Sequence, residues 1–306
     1  MIEVKKVHAF TGHSGAVYSL EKSNDAALFY SGSSDKYLAQ WNIEKLIPEK
    51  FAAQFPSIVY SICLIAEQNV LLIGTSAGSI HVIDLLKKEE IKILQHHTEA
   101  VFNIKYNIQE QVFYSVGADG NFAVCSLASL SLIKIKKLCN AKVRGIDFSS
   151  VVNELAIASS DGYIRIFDLK TLDLKKEFIA HQLAANCLCY SPDGLYLLSG
   201  GRDAHLNIWS VAMNYSSVKS IPAHNFAIYD IVYSPDKRML ATASRDKTIK
   251  IWDASTFELL VRINKENYDG HVNSVNKLLW SNYKNQLISC GDDRSILVWD
   301  IQLTQA

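Results

Sequence analysis

Five histidines each stand 18 residues before a serine or threonine: His13–Ser31, His97–Ser115, His181–Ser199, His224–Thr242 and His271–Ser289. Four positions after each hydroxyl comes an aspartate: Asp35, Asp119, Asp203, Asp246 and Asp293. An acid that orients a histidine, which in turn deprotonates a hydroxyl, is the grouping of a serine nucleophile. Its repetition argues against that chemistry. A nucleophile must face a cleft, and an active site is normally built once. Here the set recurs at fixed spacing, and in four cases a tryptophan follows six residues after the aspartate, at Trp41, Trp209, Trp252 and Trp299. Repetition at fixed spacing points to a structural role, so no catalytic residue is assigned and the chain is not read as an enzyme.

The elements that carry these residues repeat as well. Counting six residues on from each turn aspartate or its counterpart reaches Trp41, Ile83, Cys125, Phe167, Trp209, Trp252 and Trp299, at intervals of 42 and then 43 and 47. Each of the seven units opens on a segment such as HSGAVYSL or HNFAIYDI and closes on one such as KYLAQWN or TIKIWDA. Apolar and polar residues alternate with period two in both parts, and no long stretch of helical period competes. The reading is four short strands per unit and negligible helix, the fourth strand being the variable one, as in FELLVRI at 257–263. Such a sheet cannot bury its faces alone, so neighbouring units must stack.

With Gly-His at 12–13 and 270–271 and Trp-Asp at 252–253 and 299–300, the units resemble WD40 repeats over residues 3–301. The resemblance implies an all-β, seven-bladed β-propeller of four-stranded antiparallel blades. One domain spans 1–306, with repeats at about 11–53, 54–95, 96–138, 139–179, 180–222, 223–268 and 269–301. Residues 2–10 are then the outer strand of the last blade, closing the ring and removing two sheet edges. It also implies that His13/Ser31/Asp35/Trp41, His181/Ser199/Asp203/Trp209, His224/Thr242/Asp246/Trp252 and His271/Ser289/Asp293/Trp299 are hydrogen-bond chains running from indole to carboxylate. Blade 3 is partial, with Cys125 at the tryptophan position. In blade 2, Gly74, Gly78 and Ile83 are read at the Ser, Asp and Trp positions, and blade 4 keeps Asp161 beside Ile157 and Phe167. Both blades are expected to be held by apolar packing.

In proteins of this kind, early residues of the innermost strand and the residue before the turn aspartate lie on the top face. The first set is Tyr18, Tyr60, Phe102, Arg144, Asn186, Tyr229 and Asn276; the second is Ser34, Ala77, Ala118, Ser160, Arg202, Arg245 and Asp292. Aromatic side chains in the first set suit partner hot spots. Lys142, Arg144, Arg202 and Arg245 make a basic arc that fits an acidic or phosphorylated peptide. The longer segment 264–269 is expected to stand over the rim of blades 6 and 7.

Composition narrows the class further. Lys+Arg and Asp+Glu are equal at 31 each, which argues against nucleic acid or an anionic membrane as a global partner. No stretch approaches a membrane span, and MIEVKKVHAF lacks the apolar run of a signal peptide. The six cysteines include no Cys-x-x-Cys, so no metal or cofactor is expected and reduced thiols in the cytoplasm are the simplest reading. The resulting expectation is a monomeric, non-catalytic scaffold that binds protein or peptide partners. The alternatives are an enzyme at the channel mouth, with Asp147 and Asp230 the nearest candidates, or an RNA-binding propeller that uses the basic arc.

Overall fold

A computed structural model of the chain describes residues 2–303. Its strands pair into seven four-stranded antiparallel sheets, the blades of a β-propeller. Blade 1 contains Val17–Lys22, Leu28–Ser33, Tyr37–Asn42 and Ile47–Gln54, hydrogen-bonded in that order, and the other blades repeat the pattern. Helix among the described residues is confined to the single turns Ala66–Gln68 and Lys265–Tyr268.

The turn between the second and third strands has one construction throughout. The residue after the turn aspartate, or after its counterpart, is left-handed in every blade: Lys36, Gly78, Gly120, Gly162, Ala204, Lys247 and Arg294, with φ from 65° to 87°. The aspartate side chain makes this conformation tolerable by accepting from the backbone N–H two residues on. Tyr37 N donates to Asp35 at 3.0 Å, Tyr163 N to Asp161 at 3.1 Å and Ser295 N to Asp293 at 3.2 Å. The aspartate is therefore a turn former before it is anything else.

Strand register corrects the reading of blade 2. Ser31 lies opposite Ala39, and the pair in the same place in blade 2 is Ile73 and His81. Ile73 and Ala77 thus hold the Ser and Asp positions, Gly78 is the left-handed turn residue, and Ser76 precedes the Asp position. Gly74 and Gly78 were one residue too far along.

Two compact units divide the chain. One, from residues 2–59 and 229–303, carries blades 6, 7 and 1; the other, Tyr60–Ile228, carries blades 2 to 5. In the first unit, Ala241, Ile251, Val275, Leu297 and Trp299 form one buried cluster and Val17, Phe29, Trp41, Ile288 and Val298 another. In the second, the clusters lie between blades 2 and 3, 3 and 4, and 4 and 5. Burying each large aliphatic side chain in these layers contributes on the order of 1.5–3 kcal/mol.

Residues Ile2–Phe10 pair antiparallel with Ile296–Leu303, from Ile2 opposite Leu303 to Phe10 opposite Ile296. The amino-terminal strand therefore supplies the fourth strand of blade 7. Its last residue, Phe10, is 2% exposed, and its ring centroid lies 5.7 Å from Phe29 and 5.2 Å from Trp41, both in blade 1. The 264–269 segment is fastened to the same strand. Asn264 caps the turn Lys265–Tyr268 by accepting from Asn267 N, and Asp269 takes both Lys6 and Lys265. Those two lysine hydrogen bonds hold the Asp269 carboxyl down at about 2.

Candidate functional site

The repeated polar sets form hydrogen-bond chains. In blade 1, Trp41 Nε1 donates to Ser31 Oγ at 2.7 Å, Ser31 Oγ lies 2.7 Å from His13 Nε2, and His13 Nδ1 lies 2.8 Å from Asp35. Because Nδ1 faces a carboxylate, it carries the proton, so Nε2 accepts from the serine. Blade 5 repeats this through Trp209, Ser199, His181 and Asp203 at 2.9, 2.8 and 2.9 Å. Blade 7 does so through Trp299, Ser289, His271 and Asp293 at 2.9, 2.8 and 2.9 Å. In blade 6, Trp252 Nε1 donates to Thr242 at 3.0 Å. Burial pushes the aspartates up, but the histidine hydrogen bonds and turn N–H groups outweigh it and hold Asp35, Asp119, Asp203 and Asp293 below the ordinary carboxylate value. Ser31, Ser115, Ser199, Thr242 and Ser289 are all 0% exposed, so none can reach a substrate.

Blades lacking a member replace it in kind. In blade 1, a Cβ on Gly12 would lie 3.1 Å from Trp41 Cη2, so glycine makes room for the indole. In blade 3 the indole is absent at Cys125, and His96 stands where Gly12 does. The His96 ring takes over: its Nε2 lies 3.1 Å from Ser115 Oγ and 3.9 Å from Cys125 Sγ, while His97 keeps Ser115 at 2.9 Å and Asp119 at 3.0 Å. Burial, and then the neighbouring His97, lower His96 to about 4.

Blades 2 and 4 lack the loop histidine and have Phe55 and Cys139 in its place. They are not held by apolar packing alone. A polar residue of the third strand fills the space: His81 bonds Ser79 and Glu90, with Ser79 bonded in turn to Thr75, and Arg165 reaches Ser159 at 2.6 Å, Asp161 at 2.9 Å and Glu177. The expectation of apolar replacement fails because Asp161 and the turn hydroxyls remain, and buried polar groups need partners.

What these chains leave over lies on the inner strands. Pairing between first and second strands skips one residue at Tyr18, Phe102, Arg144, Asn186 and Asn276. Each is a β-bulge, which leaves the residue out of the ladder and re-aims its side chain. The Asn186 amide is committed to Ile228 O at 3.0 Å, and that of Asn276 to Val17 O at 3.0 Å and Asp292 at 2.8 Å. Tyr60, Phe102 and Arg144 come together in the Tyr60–Ile228 unit. The Tyr60 and Phe102 rings meet edge-on at 5.4 Å, and the Arg144 guanidinium lies over the Phe102 ring at 4.7 Å. All three are half-buried. Sequence reasoning put Arg144 with the cations; the bulges stack it on the aromatics. Lys142 and Arg202 are exposed in this unit; in the other, Tyr18 and Tyr229 are half-buried and Arg245 is exposed.

The two carboxylates nearest to an enzymatic reading are engaged. Asp147 accepts from Tyr190 N at 2.9 Å and pairs with Lys105 at 3.1 Å; Asp230 accepts from Leu278 N at 3.0 Å and pairs with Lys277 at 2.8 Å. Each fastens its inner strand to that of the next blade. No group of three or more potential metal ligands occurs among the described residues. No described helix is long and apolar enough to cross a membrane.

Comparison with known proteins agrees with this architecture. The family described as "WD domain, G-beta repeat" matches residues 4–42, 172–210, 215–253 and 263–300, together just over half of the chain. Human Striatin-4 is 22% identical over 230 residues, covering 69% of this chain and 30% of that protein. Human Echinoderm microtubule-associated protein-like 3 is 26% identical over 222 residues, covering 68% and 23%. WD repeat-containing protein 90 of Xenopus tropicalis is 26% identical over 147 residues, covering 45% and 8%. The chain thus spans less than a third of each of these relatives. The matches fall on the residues that build blades, turns and tetrads, and on that ground the chain belongs to the WD40 repeat family.

Proposed function

We propose that this chain is a non-catalytic interaction scaffold that holds protein or peptide partners at its inner strands, with Tyr60, Phe102 and Arg144 as the anchor. The observation that carries the reading is the stack itself. Two aromatic rings and a guanidinium from three consecutive inner strands, the last two on bulges, are half-buried and braced against one another, in a repeat whose framework does not require them. Side chains of this kind bury area at small entropic cost and dominate partner hot spots. Tyr18 and Tyr229 belong to the same class of position and extend the reading to the other unit. Six free cysteines, four of them buried, suit a reducing compartment such as the cytoplasm. The test is affinity capture with wild type beside a Tyr60→Ala/Phe102→Ala variant. Loss of specific partners at an unchanged unfolding midpoint is expected. Retention of every partner would overturn the proposal.

A further inference from the structure

The geometry points to an extended acidic peptide as the partner class, with carboxylates on Lys142 and Arg202 and apolar side chains on Leu183 and Phe226; this rests on the scaffold reading above and names what that face takes. Five backbone segments lie side by side in the Tyr60–Ile228 unit. Ser160 N donates to Lys142 O at 2.7 Å, which sets the blade 4 turn against the loop before that blade. A Cβ on Gly162 would lie 3.0 Å from Leu183 O, so the same turn abuts the next loop. Arg202 N donates to Ala184 O at 2.7 Å, and Ala223 N and His224 N both donate to Ala204 O, at 3.1 and 3.2 Å. Along this succession the outward side chains alternate: Lys142 exposed, Leu183 51% exposed, Arg202 exposed, Phe226 57% exposed.

The carboxylates on these segments are engaged. Asp161 pairs with Arg165 at 2.9 Å, and Asp203 stays ionised but is committed to His181 at 2.9 Å and to the N–H groups of Gln182 and His205. The Lys142 and Arg202 side chains form no ion pair among the described residues, and Arg144 adds a third positive charge over Phe102. The face is therefore cationic on a chain whose charges balance at 31 and 31. Nucleic acid would call for an unbroken cationic track along the phosphates. Cations separated by Leu183 and Phe226 instead match a strand-like segment whose acidic and apolar side chains alternate.

The test selects a phage-displayed random 12-residue peptide library on the full chain, in parallel with a Lys142→Glu/Arg202→Glu variant and a Phe102→Ala variant. Labelled oligouridine is titrated against the same three proteins. The substituted cations are exposed, so the unfolding midpoint of the charge variant should match wild type. The expected result is a wild-type pool rich in Asp and Glu interspersed with apolar residues, binding about tenfold more weakly to the charge variant. A pool with no acidic bias that still needs Phe102 would overturn the acidic partner and leave the scaffold reading intact. A pool indifferent to both variants, or no enrichment at all, would overturn both. Oligouridine binding that is lost in the charge variant would overturn the peptide in favour of RNA.

Discussion

His96 and Cys125 show how one residue is chosen by another. Where the tryptophan is present, the residue before the loop histidine is small (Gly12, Ala180, Ala223 and Gly270), and even a Cβ at residue 12 would come within 3.1 Å of the indole. Where cysteine replaces the indole, the freed space accepts an imidazole that supplies the same hydrogen bond to serine. Cys125→Trp alone should therefore overpack blade 3 and cost about 1–3 kcal/mol. Adding His96→Gly should recover most of that loss. Urea unfolding of the two single variants and the double variant measures the coupling, and additive effects would refute the exchange. The same histidine sets a pH window. Its folded value of about 4 lies below the ordinary 6.5, so the unfolded chain binds the proton more readily. Its contribution is complete above 6.5 and falls as the pH drops towards 4. Replacing His96 with Gln should flatten unfolding midpoints between pH 7 and 4.5. The tetrad aspartates, held below 3.8, act in a lower window, where stability persists until the pH falls below the ordinary carboxylate value.

At the scale of elements, the amino-terminal strand carries the clearest consequence. Deleting residues 1–10 removes the fourth strand of blade 7 together with Phe10, whose ring lies between Phe29 and Trp41. Loss of a large buried aromatic alone costs about 3–5 kcal/mol. A calorimetric melt should show a drop of several degrees, and an unchanged melt would contradict the pairing. This strand was legible in the sequence because an orphan alternating segment, residues 3–10, precedes the first unit at His13. The seven units were legible for the same kind of reason: the turn aspartate, the left-handed residue after it and the alternation are local signals that recur. Blade 2 was misplaced by one residue because Ile73 and Ala77 had erased two of the marks that fix register. The chains through His81 and Arg165 were missed because the replacement sits on the third strand and not in the loop, where the spacing does not look. Each could have been suspected from a large polar residue at a position that is alanine in blades 1 and 3, Ala39 and Ala123.

Across the whole chain, the repeat framework uses its conspicuous polar residues to hold turns, and the proposed function places recognition on residues outside that framework. The bulges were not read from the sequence, since an extra residue shifts the period-two pattern by only one position, and in strands of six or seven residues that shift is too brief to stand out. Nor was the partnership of Arg144 with Phe102, which are 42 residues apart and adjacent in space. Under that proposal, stability and recognition rest on separate residues, and the separation is measurable. It is tested by measuring, for a selected peptide, the affinity and unfolding midpoint of wild type, Phe102→Ala/Arg144→Ala and Trp209→Phe. Trp209→Phe removes the donor to Ser199 and should lower stability by about 1 kcal/mol with affinity unchanged. The bulge variant should keep its midpoint and lose affinity at least about tenfold. The opposite result, with binding abolished by Trp209→Phe and kept by Phe102→Ala/Arg144→Ala, would contradict the account.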